Sequence, residues 1–296
     1  MKYLEKNPII MIAIGVLGIS LSSIFVKYSD APSAVSAAWR LLWTVALMTP
    51  TVLGRKQTRR ELLCTPKKTV LLSCLSGIFL AIHFALWFES LKQTSVASST
   101  SIVCTEVIWV CLGYCLFLKG RISKKAAAAI AIALAGSLLI AWSDAGAGGS
   151  HLYGDILALL SAIAVAAYVL IGRIVRRNVS TSVYTYVVYC ACAAGLTLLC
   201  LVQGQGLTAY GSSALIVGLL LAVFSTILGH SIFSWCLKFF SPAFVSAAKL
   251  CEPVVAAILA GFLFGELLTW LQILGGTLIL GGVAFYSRVE KGEDHG

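Results

Sequence analysis

The sequence predicts an all-α integral membrane protein of ten transmembrane helices, arranged as two inverted five-helix repeats with both termini cytoplasmic. Three observations carry this prediction. The chain of 296 residues is 59% hydrophobic and only 11% charged, about half the charge of a soluble domain. Apolar runs near the length that crosses about 30 Å of hydrocarbon recur from end to end. Residues 146 positions apart match in kind across two halves. A soluble core needs a charged surface, and 22 basic with 12 acidic residues cannot supply one for this length. Composition therefore excludes a soluble globular domain, a disordered chain and, despite the net charge of +10, a nucleic-acid binder.

The first run, residues 8–26, follows Lys2 and Lys6 as a signal peptide would, but it continues without an A-x-A cleavage site and is read as a retained helix. The second covers residues 32–53. The third (69–91) and fourth (95–118) are separated only by residues 92–94, which requires a tight hairpin. The fifth is 126–142, the sixth 152–174 and the seventh 182–202. The eighth (212–237) and ninth (242–264) repeat the tight hairpin at 238–241, and the tenth is 268–286. Strict alternation is absent from these runs, which disfavours barrel strands. Trp142, Trp270 and Tyr286 stand near span ends as interfacial anchors. Gly261-x-x-x-Gly265 and the pairs Gly275-Gly276 and Gly281-Gly282 permit close helix approach.

Ten spans put both termini on one side. Eighteen Lys and Arg fall in connections on that side, against Lys27 and Lys92 on the other, leaving Arg40 and Lys249 inside the membrane. The bias makes the termini cytoplasmic, and some of these cations can touch anionic lipid. Residues 289–296 form a polar cytoplasmic tail. The ten cysteines lie mostly in apolar runs, with no C-x-x-C pair and no zinc spacing, and read as small packing residues. No cofactor or metal is expected.

Shifting the chain by 146 places Leu91-Lys92 on Leu237-Lys238, Ser95 on Ser241, Ser123 on Thr269, Gly136 on Gly282 and Glu106 on Glu252. The repeats are residues 1–146 and 147–288. Each holds five spans, an odd number, so equivalent helices cross in opposite directions. Inverted repeats of this kind underlie secondary transporters that open a central site alternately to each side.

Residues 229–238 read G-H-S-I-F-S-W-C-L-K, followed by S-P-A-F-V-S-A at 241–247 and C-E-P-V-V-A-A-I-L-A-G-F-L-F-G-E at 251–266. The first half has H-F-A-L-W-F-E-S-L at 83–91 and T-S-V-A-S-S at 94–99. The sequence resembles the EamA-type transporters of the drug/metabolite transporter superfamily over essentially its whole length. That resemblance implies a carrier of the bacterial plasma (inner) membrane, with the fifth and tenth helices outside and the others around a central cavity. It also implies export as the direction, and a monomer or a homodimer.

Ionisable side chains deep in a membrane are costly and therefore informative. Glu106 lies about 16 Å beyond Ser95, near mid-bilayer, and Glu252 lies equally far beyond Ser241. Facing a shared cavity, the two could exchange protons or hold a substrate ammonium; otherwise each accepts hydrogen bonds from a neighbouring helix. Lys249, three residues before Glu252, could neutralise it in the empty site, clamp a zwitterion with a carboxylate, or form a permanent pair. Arg40 is a candidate anion site or a helix-end donor. His83 and His230 are candidate proton relays or neighbour-bonded histidines. Trp87 shares a face with His83, and Trp109 with Glu106. Together with the mid-span Tyr168 and Tyr186 they could contact solute or pack the core. Pro253 is expected to bend the ninth helix and free a carbonyl at the depth of the site.

These residues favour a secondary transporter for a small organic metabolite, amino-acid-like or cationic, with proton-coupled efflux; the partners are the solute, protons and membrane lipid. Proton-coupled import is the alternative, followed by an intramembrane enzyme or a channel. No phosphate-binding G-x-x-x-x-G-K-[ST] loop, H-E-x-x-H motif or nucleophile constellation is present, so the chain is not expected to be an enzyme.

Overall fold

Residues 8–94, 96–144, 152–264 and 268–293 are described by the computed structural model, and within them every regular element is helical. Lys2, Lys6, Ser95 and Gly265, used above for orientation, repeat matching and helix packing, lie outside the described residues. In chain order the elements are α1 (Pro8–Lys27), α2 (Ser33–Gly54), α3 (Lys56–Cys64), α4 (Lys67–Gln93), α5 (Val96–Cys104), α6 (Glu106–Leu118) and α7 (Lys124–Asp144). They continue with α8 (Leu152–Val175), α9 (Thr181–Val202), α10 (Gly211–Leu220), a π-helical segment (Leu221–His230), α11 (Ser231–Cys236), α12 (Pro242–Lys249), α13 (Glu252–Phe264) and α14 (Trp270–Glu293).

Among the described residues nine stretches are long and apolar enough to cross a membrane, among them Ser98–Leu118 and Gly211–Cys236, each assembled from shorter helices. The helix α2 is long enough at 22 residues, but Arg40, Trp39, Trp43 and three threonines leave it less apolar than those nine. Polarity runs inside out. Phe117, Trp142, Leu201 and Phe262 are largely exposed, whereas Arg40, Ser20, Ser76 and Thr226 are fully buried. That is the distribution a lipid solvent selects, because a buried polar group finds partners there that lipid cannot offer.

The connection between α2 and α4, one of those that carry the basic residues, is folded: α3 is a nine-residue helix with no buried residue. Its polar face carries no apolar signal, which is why hydropathy missed it. Glu61 on α3 accepts a bond from the Ser180 backbone N–H at 2.6 Å, fixing α3 to the start of α9. The tight connection after α11 ends at Ser241, whose hydroxyl caps α12 by accepting from Phe244 N–H at 3.1 Å, with Pro242 next in the first turn.

Helices cross closely where glycine permits it. A Cβ on Gly136 would lie 2.4 Å from the Gly275 carbonyl oxygen, and one on Gly282 would lie 2.8 Å from that of Ala129. Thus α7 and α14 bring their backbones together through Gly136 and Gly282, residues that coincide under the 146-residue shift.

Three spans that read as continuous are interrupted. At Thr105 the backbone tightens, with Thr105 N–H bonded to Ile102 O at 3.0 Å and Ile108 N–H to Thr105 O at 2.9 Å. At Leu250 and Cys251 the same i→i−3 pattern appears, at 3.1 and 3.2 Å. Between α10 and α11 the bonds lengthen instead: Ser231 N–H reaches back to Thr226 O, the widened π pattern that often marks a working site. The interruption at Leu250 and Cys251 precedes Pro253, which sits in the first turn of α13, where a missing N–H costs little. The carbonyl four residues before Pro253, that of Lys249, accepts from Cys104 Sγ at 3.8 Å.

Candidate substrate site

Two of the three interrupted spans start their second half with a carboxylate: Glu106 is the first residue of α6 and Glu252 the first of α13. A helix N-terminus carries unpaired N–H groups and partial positive charge, so both positions suit an acid. Both glutamates are buried and line one cavity together with Lys249, Arg40, His83, His230 and Trp87, and with Ser22 and Ile19 of α1. Its volume is about 30 Å³, room for about one or two waters.

Lys249 ends α12, where the cation faces the negative end of the helix. Its Nζ donates to Glu106 Oε1 at 2.8 Å. The expected helix-face pairing of Lys249 with Glu252 is not formed, because the interruption at Leu250 and Cys251 separates the two residues into different helices. The Glu252 carboxylate has no hydrogen bond or ion pair among the described residues, and only its backbone carbonyl is engaged, by Ser20 Oγ at 3.4 Å.

Arg40 is entirely buried. Its Nε donates to Thr226 Oγ1 at 2.7 Å and its Nη1 to Ser22 Oγ at 3.2 Å. The Phe84 ring lies beneath the guanidinium at 4.1 Å, a favourable placement for a cation. The third nitrogen, Nη2, has no partner among the described residues. The π-helical segment thus supplies both Thr226, which holds Arg40, and His230, which lines the cavity.

The two histidines differ. His83 Nδ1 sits 2.8 Å from Ser161 Oγ and 3.2 Å from the Ser161 carbonyl, and the Ser161 hydroxyl donates back to the His83 carbonyl at 3.1 Å. Trp87 stacks on the His83 ring with centroids 6.0 Å apart. Among the described residues His230, by contrast, leaves Nδ1 without a partner, as Trp87 leaves Nε1.

Seven of the residues singled out in the sequence therefore meet at the cavity, and three do not. Tyr168 is buried beside the His230 ring at 6.1 Å, with its hydroxyl bonded to Ser234 Oγ at 2.7 Å. Tyr186 bonds Thr49 Oγ1 at 3.0 Å across the α2–α9 contact, and Trp109 is half-buried outside the cavity. Sequence reading missed Ser22, Thr226, Phe84 and Ser161, which hold or back the charged groups. Serine, threonine and phenylalanine are ordinary in membrane helices, and only their position next to Arg40 or His83 marks them. Among the described residues no group of three His, Cys, Asp or Glu could hold a metal ion, and the ten cysteines are free.

Comparisons place the chain among transporters. Over 228 residues, 72% of this chain and 75% of the relative, it is 29% identical to a probable amino-acid metabolite efflux pump of Salmonella typhimurium. Over 225 residues, 74% of this chain and 70% of the relative, it is 26% identical to YxxF, an uncharacterized transporter of Bacillus subtilis. A solved crystal structure overlays on 97% of this chain and 98% of its own, with a TM-score of 0.78 at 17% identity, a likeness of fold. The family model described as the EamA-like transporter family matches residues 6–142 and again 152–288. This multi-span helical membrane protein belongs to the EamA-like transporter family.

Proposed function

We propose that the chain is a secondary transporter that moves a small amino-acid-like solute across the bacterial plasma membrane, outward and in exchange for protons. Two inverted repeats, residues 1–146 and 147–288, alternate the access of the central cavity to the two sides, with both termini cytoplasmic. The observation that carries this reading is the pair Glu106 and Glu252, each opening a half-helix on one cavity, one paired with Lys249 and the other without a partner. Discontinuous helices meeting at mid-membrane are the usual frame of a carrier site.

Glu252 is the exchanging group. With solute absent it holds a proton; a solute ammonium competes for the same carboxylate, so one enters as the other leaves. Competition for one site couples two fluxes without any further device. At about 30 Å³ the cavity is too small for an amino acid, so binding requires helices to separate, as alternating access demands. Support for direction and solute class comes from the Salmonella relative, named a probable amino-acid metabolite efflux pump.

The test is counterflow in proteoliposomes. Trapped unlabelled amino acid should draw labelled amino acid inward against its gradient, and an imposed pH gradient should drive net movement. Equilibration without overshoot would indicate a channel, and chemical conversion of the solute an enzyme; either result overturns the reading.

A further inference from the structure

We infer that Arg40 is the residue that recognises the solute's carboxylate, which makes the transported class zwitterionic α-amino acids rather than simple amines. This inference rests on the amino-acid reading above and names the group that would enforce it.

Lys249 is the other cation on the cavity, but its charge is already matched by Glu106 at 2.8 Å, and that bond ties α12 to α6. Arg40 has no ion pair among the described residues; Glu252 acts on it only at longer range, across the cavity. It is entirely buried, and the partners holding it are neutral: the hydroxyls of Thr226 and Ser22 and the face of Phe84. These three contacts come from the π-helical segment, α1 and α4, so the guanidinium is fixed on three sides. Nη2 is left without a partner on a residue that lines the cavity. A buried guanidinium held by neutral groups is costly unless an anion completes it, and its planar fork suits a carboxylate.

Among the described residues two more buried nitrogens of the same cavity are unpartnered, the donor Trp87 Nε1 and His230 Nδ1, whose role depends on the tautomer. Indole N–H can only donate, so the cavity asks for an acceptor there. Opposite in character is Glu252, whose carboxylate asks for a donor. With Lys249 and Glu106 cancelling each other, the groups left open are one cation and one carboxylate. A zwitterion satisfies both ends. An amine without a carboxylate would leave the buried Arg40 uncompensated.

The experiment is counterflow by the wild-type protein in liposomes. Each proteinogenic L-amino acid serves in turn as the trapped solute. The best-exchanged amino acid is then compared, as competitor, with its methyl ester and its decarboxylated amine. Loss of a charge-assisted bond predicts that ester and amine compete roughly ten- to hundredfold less well than the acid. Arg40→Gln should raise the KM for the acid by a similar factor and erase its advantage over the ester, with little change for the amine. Equal competition by acid, ester and amine in the wild type would overturn the assignment to Arg40 while leaving the carrier intact. So would an undiminished preference for the acid in reconstituted Arg40→Gln. Should that variant fail to fold, the wild-type series decides alone. Exchange of no amino acid at all would overturn the amino-acid reading, and the role of Arg40 with it.

Discussion

Glu106 and Glu252 stand 146 residues apart in the chain, begin half-helices α6 and α13, and line one cavity, yet among the described residues only Glu106 is paired, with Lys249 Nζ at 2.8 Å. Equivalent positions in the two repeats have thus taken unequal electrostatic environments. The difference separates what each glutamate does.

Removing Glu106 should damage stability first. Glu106→Gln leaves Lys249 buried without a counter-charge, which costs about 3–5 kcal/mol. Lys249→Met alone should also destabilise, by stranding Glu106, whereas the double variant should recover most of the loss. Thermal unfolding of the purified proteins, combined as a double-mutant cycle, measures the coupling.

Removing Glu252 should damage coupling instead. Its carboxylate has no bond or ion pair to lose among the described residues, so Glu252→Gln should unfold within about 1 kcal/mol of wild type. Net transport driven by a pH gradient should vanish in the same variant. A Glu252→Gln protein that still follows the gradient would refute the exchange step.

At the end of the molecule where α8 meets the α11–α12 connection, arginines bond backbone carbonyls. Arg173 donates to Leu237 O and to Phe240 O, and Arg176 to Ser234 O and Val179 O. These bonds satisfy helix-end groups that would otherwise be orphaned. Arg173→Ala with Arg176→Ala should loosen α11 and expose Cys236, now fully buried. Labelling by a neutral maleimide, followed at Cys236 by mass spectrometry, should be faster than in wild type.

The α7–α14 crossing depends on missing side chains. Gly136→Ala would place a methyl 2.4 Å from Gly275 O, and overpacking of this kind costs about 1–3 kcal/mol. Gly54 meets nothing within 4 Å of its Cβ position, so Gly54→Ala should leave the melting temperature unchanged or slightly higher. A pair of unfolding curves checks both.

Much of the scaffold was legible from local signals. The helix α8 at Leu152–Val175 differs from the expected run by one residue, and α9 at Thr181–Val202 likewise, because a long apolar run has few other ways to satisfy its backbone in lipid. Ionisable residues stood out against that background, so seven of the cavity's charged and aromatic groups could be named in advance. The amphipathic helix α3 could not, since polar sequence says little about folding. Nor could the π-helical segment, whose widened bonds serve Thr226 and His230 and leave no compositional trace.

The sequence by itself determined the membrane class, the approximate spans and the symmetric placement of Glu106 and Glu252, all of which depend on run length and residue spacing. Tertiary structure decided that Lys249 joins Glu106 and not Glu252, that Arg40 is held with one nitrogen free, and that Tyr186 and Trp109 stand apart. Those outcomes turn on how each helix rotates about its axis and where it is interrupted. A helix apolar on all sides does not declare its rotation. Only packing against its neighbours fixes which few polar atoms meet.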